Sequence, residues 1–119
     1  MATLLYVEDY ESMRLFAQEF LTGKGHNIYL AADGLEGLDV LKRVDGIQII
    51  FTDCNMPRMN GVRFIKEVKA NPDYARYSNI PIVGVGTFPE GNRTQLVECL
   101  EKPFGSQELL RCIDQYCRK

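Results

Sequence analysis

Residues 49–61 read IIFTDCNMPRMNG: a hydrophobic, β-type run that halts on one carboxylate, Asp53, and passes into Asn, Pro and Gly. Short apolar runs of this kind suit a strand covered on both faces, and residues such as Asn55, Pro57 and Gly61 favour the turn that follows. The pattern predicts a strand over 47–53 with Asp53 at its exit. Downstream, Val62, Ile65 and Val68 lie at helical spacing, and the helix they mark ends before Asn71-Pro72. Upstream, Leu35, Leu38, Leu41 and Val44 mark another helix, which closes near Gly46.

The alternation continues in both directions. TLLYV (3–7) is a first short strand, and the helix after it places Met13, Phe16, Ala17, Phe20 and Leu21 on one stripe before Gly23 and Gly25 stop it. NIYLAAD (27–33) is a second strand closed by the Asp33-Gly34 turn signal, and IPIVGVGT (80–87) is a fourth. PDYARYSN (72–79) reads as a loop. A last helix begins after Gly105, with Ser106 as N-cap, and buries Leu109, Leu110, Ile113 and either Tyr116 or Cys117. Strands alternating with helices imply βαβ units, a parallel sheet and helices on both faces.

The bulk composition restricts the function classes. With 119 residues, 45% of them hydrophobic and 25% charged, the chain suits one domain around one core. The net charge of -2 and the lack of a basic run beyond Arg118 and Lys119 argue against a nucleic-acid partner. No apolar stretch reaches the roughly 18 residues of a membrane span, and MATLLYVED has no signal-peptide pattern, so a cytoplasmic protein is expected. Cys54, Cys99, Cys112 and Cys117 form no C-x-x-C pair and are read as reduced thiols. His26, the only histidine, falls in the GKGHN turn and is not read as a phosphocarrier.

In parallel sheets functional groups gather beyond the carboxyl ends of the strands, at the point where strand order reverses. Glu8 and Asp9 follow the first strand, Asp53 ends the third, Gly86 and Thr87 end the fourth, and Lys102 precedes the last helix. If strands one and three are neighbours, as in the flavodoxin-like order 2-1-3-4-5, the three acids converge and repel one another unless a cation joins them. A hard divalent ion such as Mg²⁺ suits oxygen ligands, and Lys102 suits a phosphoryl oxygen. Singly, Glu8-Asp9 could cap a helix, Asp53 could serve a turn, and Lys102 could be a solvated charge. In this order at strand ends they read as one phosphoryl site.

The sequence VEDYESMR, then IIFTDCNMPRMNG, then PIVGVGT, then EKPF resembles the receiver domain of two-component response regulators, CheY-like, over nearly the whole chain. The resemblance implies a three-layer α/β/α fold with a five-stranded doubly wound parallel sheet. It implies Asp53 as phosphoacceptor, Glu8 and Asp9 as ligands of Mg²⁺ (or Mn²⁺) with Asp53 and the backbone carbonyl of Asn55, and Lys102 as the phosphoryl contact. The expected phosphodonor is a histidine kinase or histidine phosphotransfer protein, and the expected output is contact with a further protein. Residues 1–119 are expected to be a stand-alone receiver without an output domain, catalysing only its own phosphorylation and dephosphorylation.

Three departures from the family pattern carry expectations of their own. Gly86 stands where relatives have a Thr or Ser directed at the phosphoryl group, and Thr87 comes one residue late, on the other face unless the strand end is twisted or bulged. Cys99 stands where an aromatic normally precedes the lysine by three residues. Residues 88–101 are too few for an ordinary helix of about ten residues, a strand of about five and their connections, so the fourth helix is expected to be truncated or replaced by a loop. The fifth strand is then expected near VECLE (97–101).

Two alternative functions follow. One is a degenerate receiver that binds a partner without phosphorylation. The other is an aspartyl phosphohydrolase like the haloacid dehalogenases, opposed by Asn55, which occupies the place of their general acid.

Overall fold

The computed structural model describes residues 1–117. Five parallel strands, β1 (Thr3–Val7), β2 (Asn27–Ala31), β3 (Ile49–Asp53), β4 (Ile82–Val85) and β5 (Glu98–Leu100), form one sheet in the order β2-β1-β3-β4-β5. Helices α1 (Glu11–Gly23), α2 (Gly34–Arg43), α3 (Gly61–Ala70) and α4 (Ser106–Tyr116) cover its two faces. The order is the flavodoxin-like 2-1-3-4-5 considered above, in which β1 and β3 are neighbours, with the reversal between them.

Period-two alternation along each strand divides the core. Leu4, Tyr6, Ile49, Phe51, Val83 and Val85 point to one face, where Ala17 and Leu21 of α1 and Leu109, Cys112 and Ile113 of α4 cover them. Leu5, Val7, Ile50 and Ile82 point to the other, against Leu38 and Leu41 of α2 and Phe64, Ile65 and Val68 of α3. All five residues of β3 are buried, which makes it the centre of the fold. Burying each such apolar side chain stabilises by about 1.5–3 kcal/mol before entropy is counted.

Several local expectations shift. Leu35 is 43% and Phe16 51% exposed, because each falls at the edge of its helix's buried stripe. On α2 the buried residues besides Gly34 and Gly37 are Leu38, Val40 and Leu41, while α3 adds the fully buried Phe64. Gly105, with no side-chain hydrogen bond, is the N-cap of α4, and Ser106 is its first residue. Cys112 is buried there with Leu109 and Ile113, whereas Leu110, Tyr116 and Cys117 pack only partly.

Residues 72–79, read as a loop, contain a 3-10 helix over Pro72–Tyr77. Its apolar content was hidden by turn-forming neighbours. Pro72 suits the first turn, the Asn71 side chain accepts from the Asp73 amide at 2.9 Å, and Tyr74 and Tyr77 are buried. The Tyr77 hydroxyl donates to Val44 O at 2.5 Å, and Arg76 donates to Leu41 O at 2.7 Å, tying this turn to the end of α2.

Between β4 and β5 the chain forms a 3-10 helix, Glu90–Gln95, with no buried residue. The expected loss of the fourth helix is therefore real, and β5 falls within 97–101 as expected. Phe88 takes over part of the missing helix's packing: it is 2% exposed and lies with Leu96 over Gly84 of β4. A Cβ at Gly84 would come within 2.8 Å of both the Phe88 ring and Leu96, so the small residue on the strand makes room for the ring.

Candidate functional site

Parallel strands deliver their carboxyl ends to one rim. The register Val7↔Thr52, continued by one residue, sets Glu8 beside Asp53, and Asp53 itself pairs with Val85, so Gly86 follows directly alongside. Oxygens of Glu8, Asp9 and Asp53 lie within 4.8 Å of one another. Across the rim, Lys102 Nζ donates to Glu8 Oε1 at 2.8 Å and to Asp53 Oδ2 at 3.0 Å. Glu8, Asp9, Asp53 and Lys102 thus form one constellation.

Its members are unequally exposed. The Glu8 side chain is 1% exposed, Asp53 is buried, and Asp9 is open to solvent. Burial pushes the Glu8 carboxyl above the usual carboxylate range, Asp53's charge adds to this, and Lys102 opposes it. Burial works against the Lys102 ammonium, but its hydrogen bonds to Glu8 and Asp53 more than offset that and hold its pKa above the ordinary value. Three carboxylates face one ammonium. A donor set made wholly of carboxylate oxygen and short of positive charge fits a hard divalent cation.

The turn after Asp53 is built to hold the carboxylate still. Asp53 Oδ1 accepts from the Cys54 amide at 2.7 Å, and the Gly61 amide donates to Cys54 O at 2.8 Å as α3 begins. A Cβ at Gly61 would fall 2.1 Å from Asp53 O, which explains the glycine that ends the motif. Asn55 lies exposed in this turn. Met56 and Met59 are partly buried and pack against the core.

One anchor of the turn escaped the sequence reading. Arg58 sits at φ 63°, a left-handed conformation uncommon for a side-chain-bearing residue, and its guanidinium meets Asp33 at 2.8 and 3.3 Å. Asp33 also caps α2 by accepting from the Glu36 amide at 2.9 Å. Burial raises the Asp33 carboxyl, but Arg58 and the cap amides outweigh it and hold it below the ordinary range. The D-x-x-E spacing of Asp33 and Glu36 is a helix-cap signal that would have shown half of this arrangement. The Arg58 half has no local signal, since the two residues meet only in the folded chain.

At the fourth strand's end, Gly86 adopts φ 110°, and a Cβ there would lie 2.7 Å from Asp53 Oδ1. Gly86 donates its amide to Leu100 O at 2.8 Å, and its carbonyl accepts the Cys99 thiol at 3.1 Å. Two departures from the family pattern are therefore in contact. The chain does twist at this point, yet Thr87 is exposed, and the Asp53 carboxylate is hydrogen-bonded by Cys54 and Lys102 rather than by the Thr87 hydroxyl. His26 lies at the opposite end of the sheet, where its Nδ1 accepts from the Ala2 amide at 2.9 Å.

A doubly wound parallel sheet with an acid triad and a lysine at its carboxyl rim defines a signalling domain of the receiver class. Residues 4–114 match the response regulator receiver domain, and the chain belongs to that family of two-component signalling proteins. A chemotaxis protein CheY homolog of Campylobacter jejuni is 35% identical over 115 residues, covering 89% of this chain and 85% of its own. Chemotaxis protein CheY1 of Helicobacter pylori is 31% identical over 115 residues, covering 89% of each chain. The structure of chemotaxis protein CheY4 of Vibrio cholerae superimposes with a TM-score of 0.84 at 28% identity, over 98% of both chains. Among the described residues no helix is long and apolar enough to cross a membrane.

Proposed function

We propose that this receiver takes a phosphoryl group onto Asp53 from a phosphohistidine of a partner kinase or phosphotransfer protein and passes the signal on by protein contacts. The observation that supports this most is Lys102 bridging Glu8 and Asp53, within a cluster of three carboxylates at the sheet's carboxyl rim.

In the reaction an Asp53 oxygen attacks phosphorus, an O–P bond forms, the P–N bond breaks, and the electron pair leaves with the partner's imidazole. Such transfer asks for positioning and charge neutralisation more than for covalent help. The Cys54 amide fixes the carboxylate, and the absent side chain at Gly86 leaves the approach to Asp53 Oδ1 open. Lys102 neutralises transferred charge from a position where it already contacts Asp53. Glu8, Asp9, Asp53 and the Asn55 carbonyl would hold Mg²⁺, which when bound supplies further neutralisation of the phosphoryl oxygens.

Intact mass after incubation with acetyl phosphate tests the reading. One phosphoryl group is gained with Mg²⁺ and not without it, and Asp53→Asn gains none. A second reading, a binding module that works without phosphorylation, draws on the solvent-exposed Thr87 and the missing hydroxyl at Gly86. If neither acetyl phosphate nor beryllofluoride occupies the site, that second reading replaces the first.

A further inference from the structure

The short 3-10 helix over Glu90–Gln95 stands where the fourth helix of the family pattern would lie, and none of its residues is buried. Between it and α3 runs a groove of about 310 Å³ lined by Val62, Ile65, Lys66, Lys69, Ala70, Gly91, Asn92 and Gln95. Val62, Ile65 and Ala70 give it apolar lining, and none of its lining residues is acidic.

The charge on its rim is the second observation. In a chain of net charge -2, Lys66 and Lys69 both border the groove one helical turn apart. Among the described residues neither is ion-paired with a carboxylate. Lys69 donates only to the Ser78 carbonyl at 3.2 Å, which leaves its charge uncompensated. By contrast, neighbouring Arg63 on α3 faces Glu67 at 3.8 Å, and Arg93 of the 3-10 helix meets Glu101 at 3.0 Å. An apolar trough with two uncompensated ammonium groups on one bank is complementary to an amphipathic helix whose apolar stripe is flanked by acids.

We propose that this groove docks an acidic amphipathic helical segment of a partner protein, which fills the place left by the missing helix. The proposal goes beyond the phosphoryl chemistry and does not depend on it, because every lining residue lies outside the Asp53 rim. The shape and the charge are both present in the unphosphorylated protein.

The test uses the full chain without phosphodonor and a synthetic helical peptide with leucines at i, i+3 and i+7 and glutamates on both flanks. A peptide of the same pattern with lysines replacing the glutamates is the control. In amide NMR titrations the acidic peptide is expected to shift Val62, Ile65, Lys66, Lys69, Gly91 and Asn92, and the basic one is not. Lys66→Glu with Lys69→Glu, the first exposed and the second half-buried, should weaken the acidic peptide at least about tenfold and admit the basic one.

Gly91 has open space around its Cβ position, so Gly91→Phe tests blockade of the groove without disturbing the core. Absence of groove shifts at millimolar acidic peptide overturns the proposal, as does equal binding of the basic peptide. Groove shifts that grow with protein concentration alone overturn it in favour of a second copy as occupant. Because Asp53 takes no part, Asp53→Asn should bind the peptide unchanged, which separates this result from any failure of phosphorylation.

Discussion

Restoring a side chain at Gly86 should damage this protein rather than bring it closer to its relatives. Gly86→Ala forces a φ of 110° on a residue with a Cβ, a conformation that costs on the order of 1–3 kcal/mol. The new methyl would also sit 2.7 Å from Asp53 Oδ1. That carboxylate has little freedom to retreat, since the Cys54 amide holds one oxygen and Lys102 the other. Moving it sacrifices a charge-assisted hydrogen bond worth about 1.5–3 kcal/mol.

The two effects together come to roughly 2.5–6 kcal/mol, and at roughly 3–5 °C per kcal/mol for a domain of this size Tm should fall by about 8–30 °C. Gly86→Thr should be worse, because a β-branched residue tolerates positive φ less well than alanine does. Gly91→Ala is the control: with open space at its Cβ it should be neutral or stabilising by up to about 1 kcal/mol. Calorimetry and urea unfolding measure both, and acetyl phosphate incorporation follows the site. A Gly86→Ala protein that melts within about 2 °C of the parent and phosphorylates as fast would refute the reasoning. It would mean that the strand end relaxes freely and that position 86 is only a vacancy.

Two other measurements probe the surroundings of the site. Phe88→Ala should cost about 3–5 kcal/mol in urea unfolding, because the ring fills space above Gly84 that no helix covers; a loss under about 1 kcal/mol would show that another segment closes over the strand. The Asp33 carboxyl is held below its ordinary value of 3.8 in the folded protein, so its stabilising contribution is present above that value and is lost as pH falls through the depressed one. Asp33→Asn should therefore flatten the acid limb of a Tm-against-pH curve, and an unchanged slope would remove the Arg58 pair from the account.

The strand-helix alternation was legible because hydrophobic period is a local property, and the acid pair, Asp53 and Lys102 were legible because parallel strands must end on one rim. Counting residues between Thr87 and Lys102 was enough to show that an ordinary helix could not fit there. The sequence by itself thereby determined the sheet, the rim and the missing helix. Other features were decided only by tertiary structure. The fully buried Phe88 stands next to Pro89 and Glu90 in a stretch with no periodicity, and its role arises from Gly84 on the adjacent strand. Arg58 and Asp33 are distant in sequence and meet because the turn after β3 folds over the start of α2. Gly86 and Cys99 looked like two separate departures, yet β4 pairs with β5 and brings the Cys99 thiol onto the Gly86 carbonyl. Local spacing carries backbone periodicity, whereas which side chain meets which depends on strand register and packing, and those exist only once the sheet has formed.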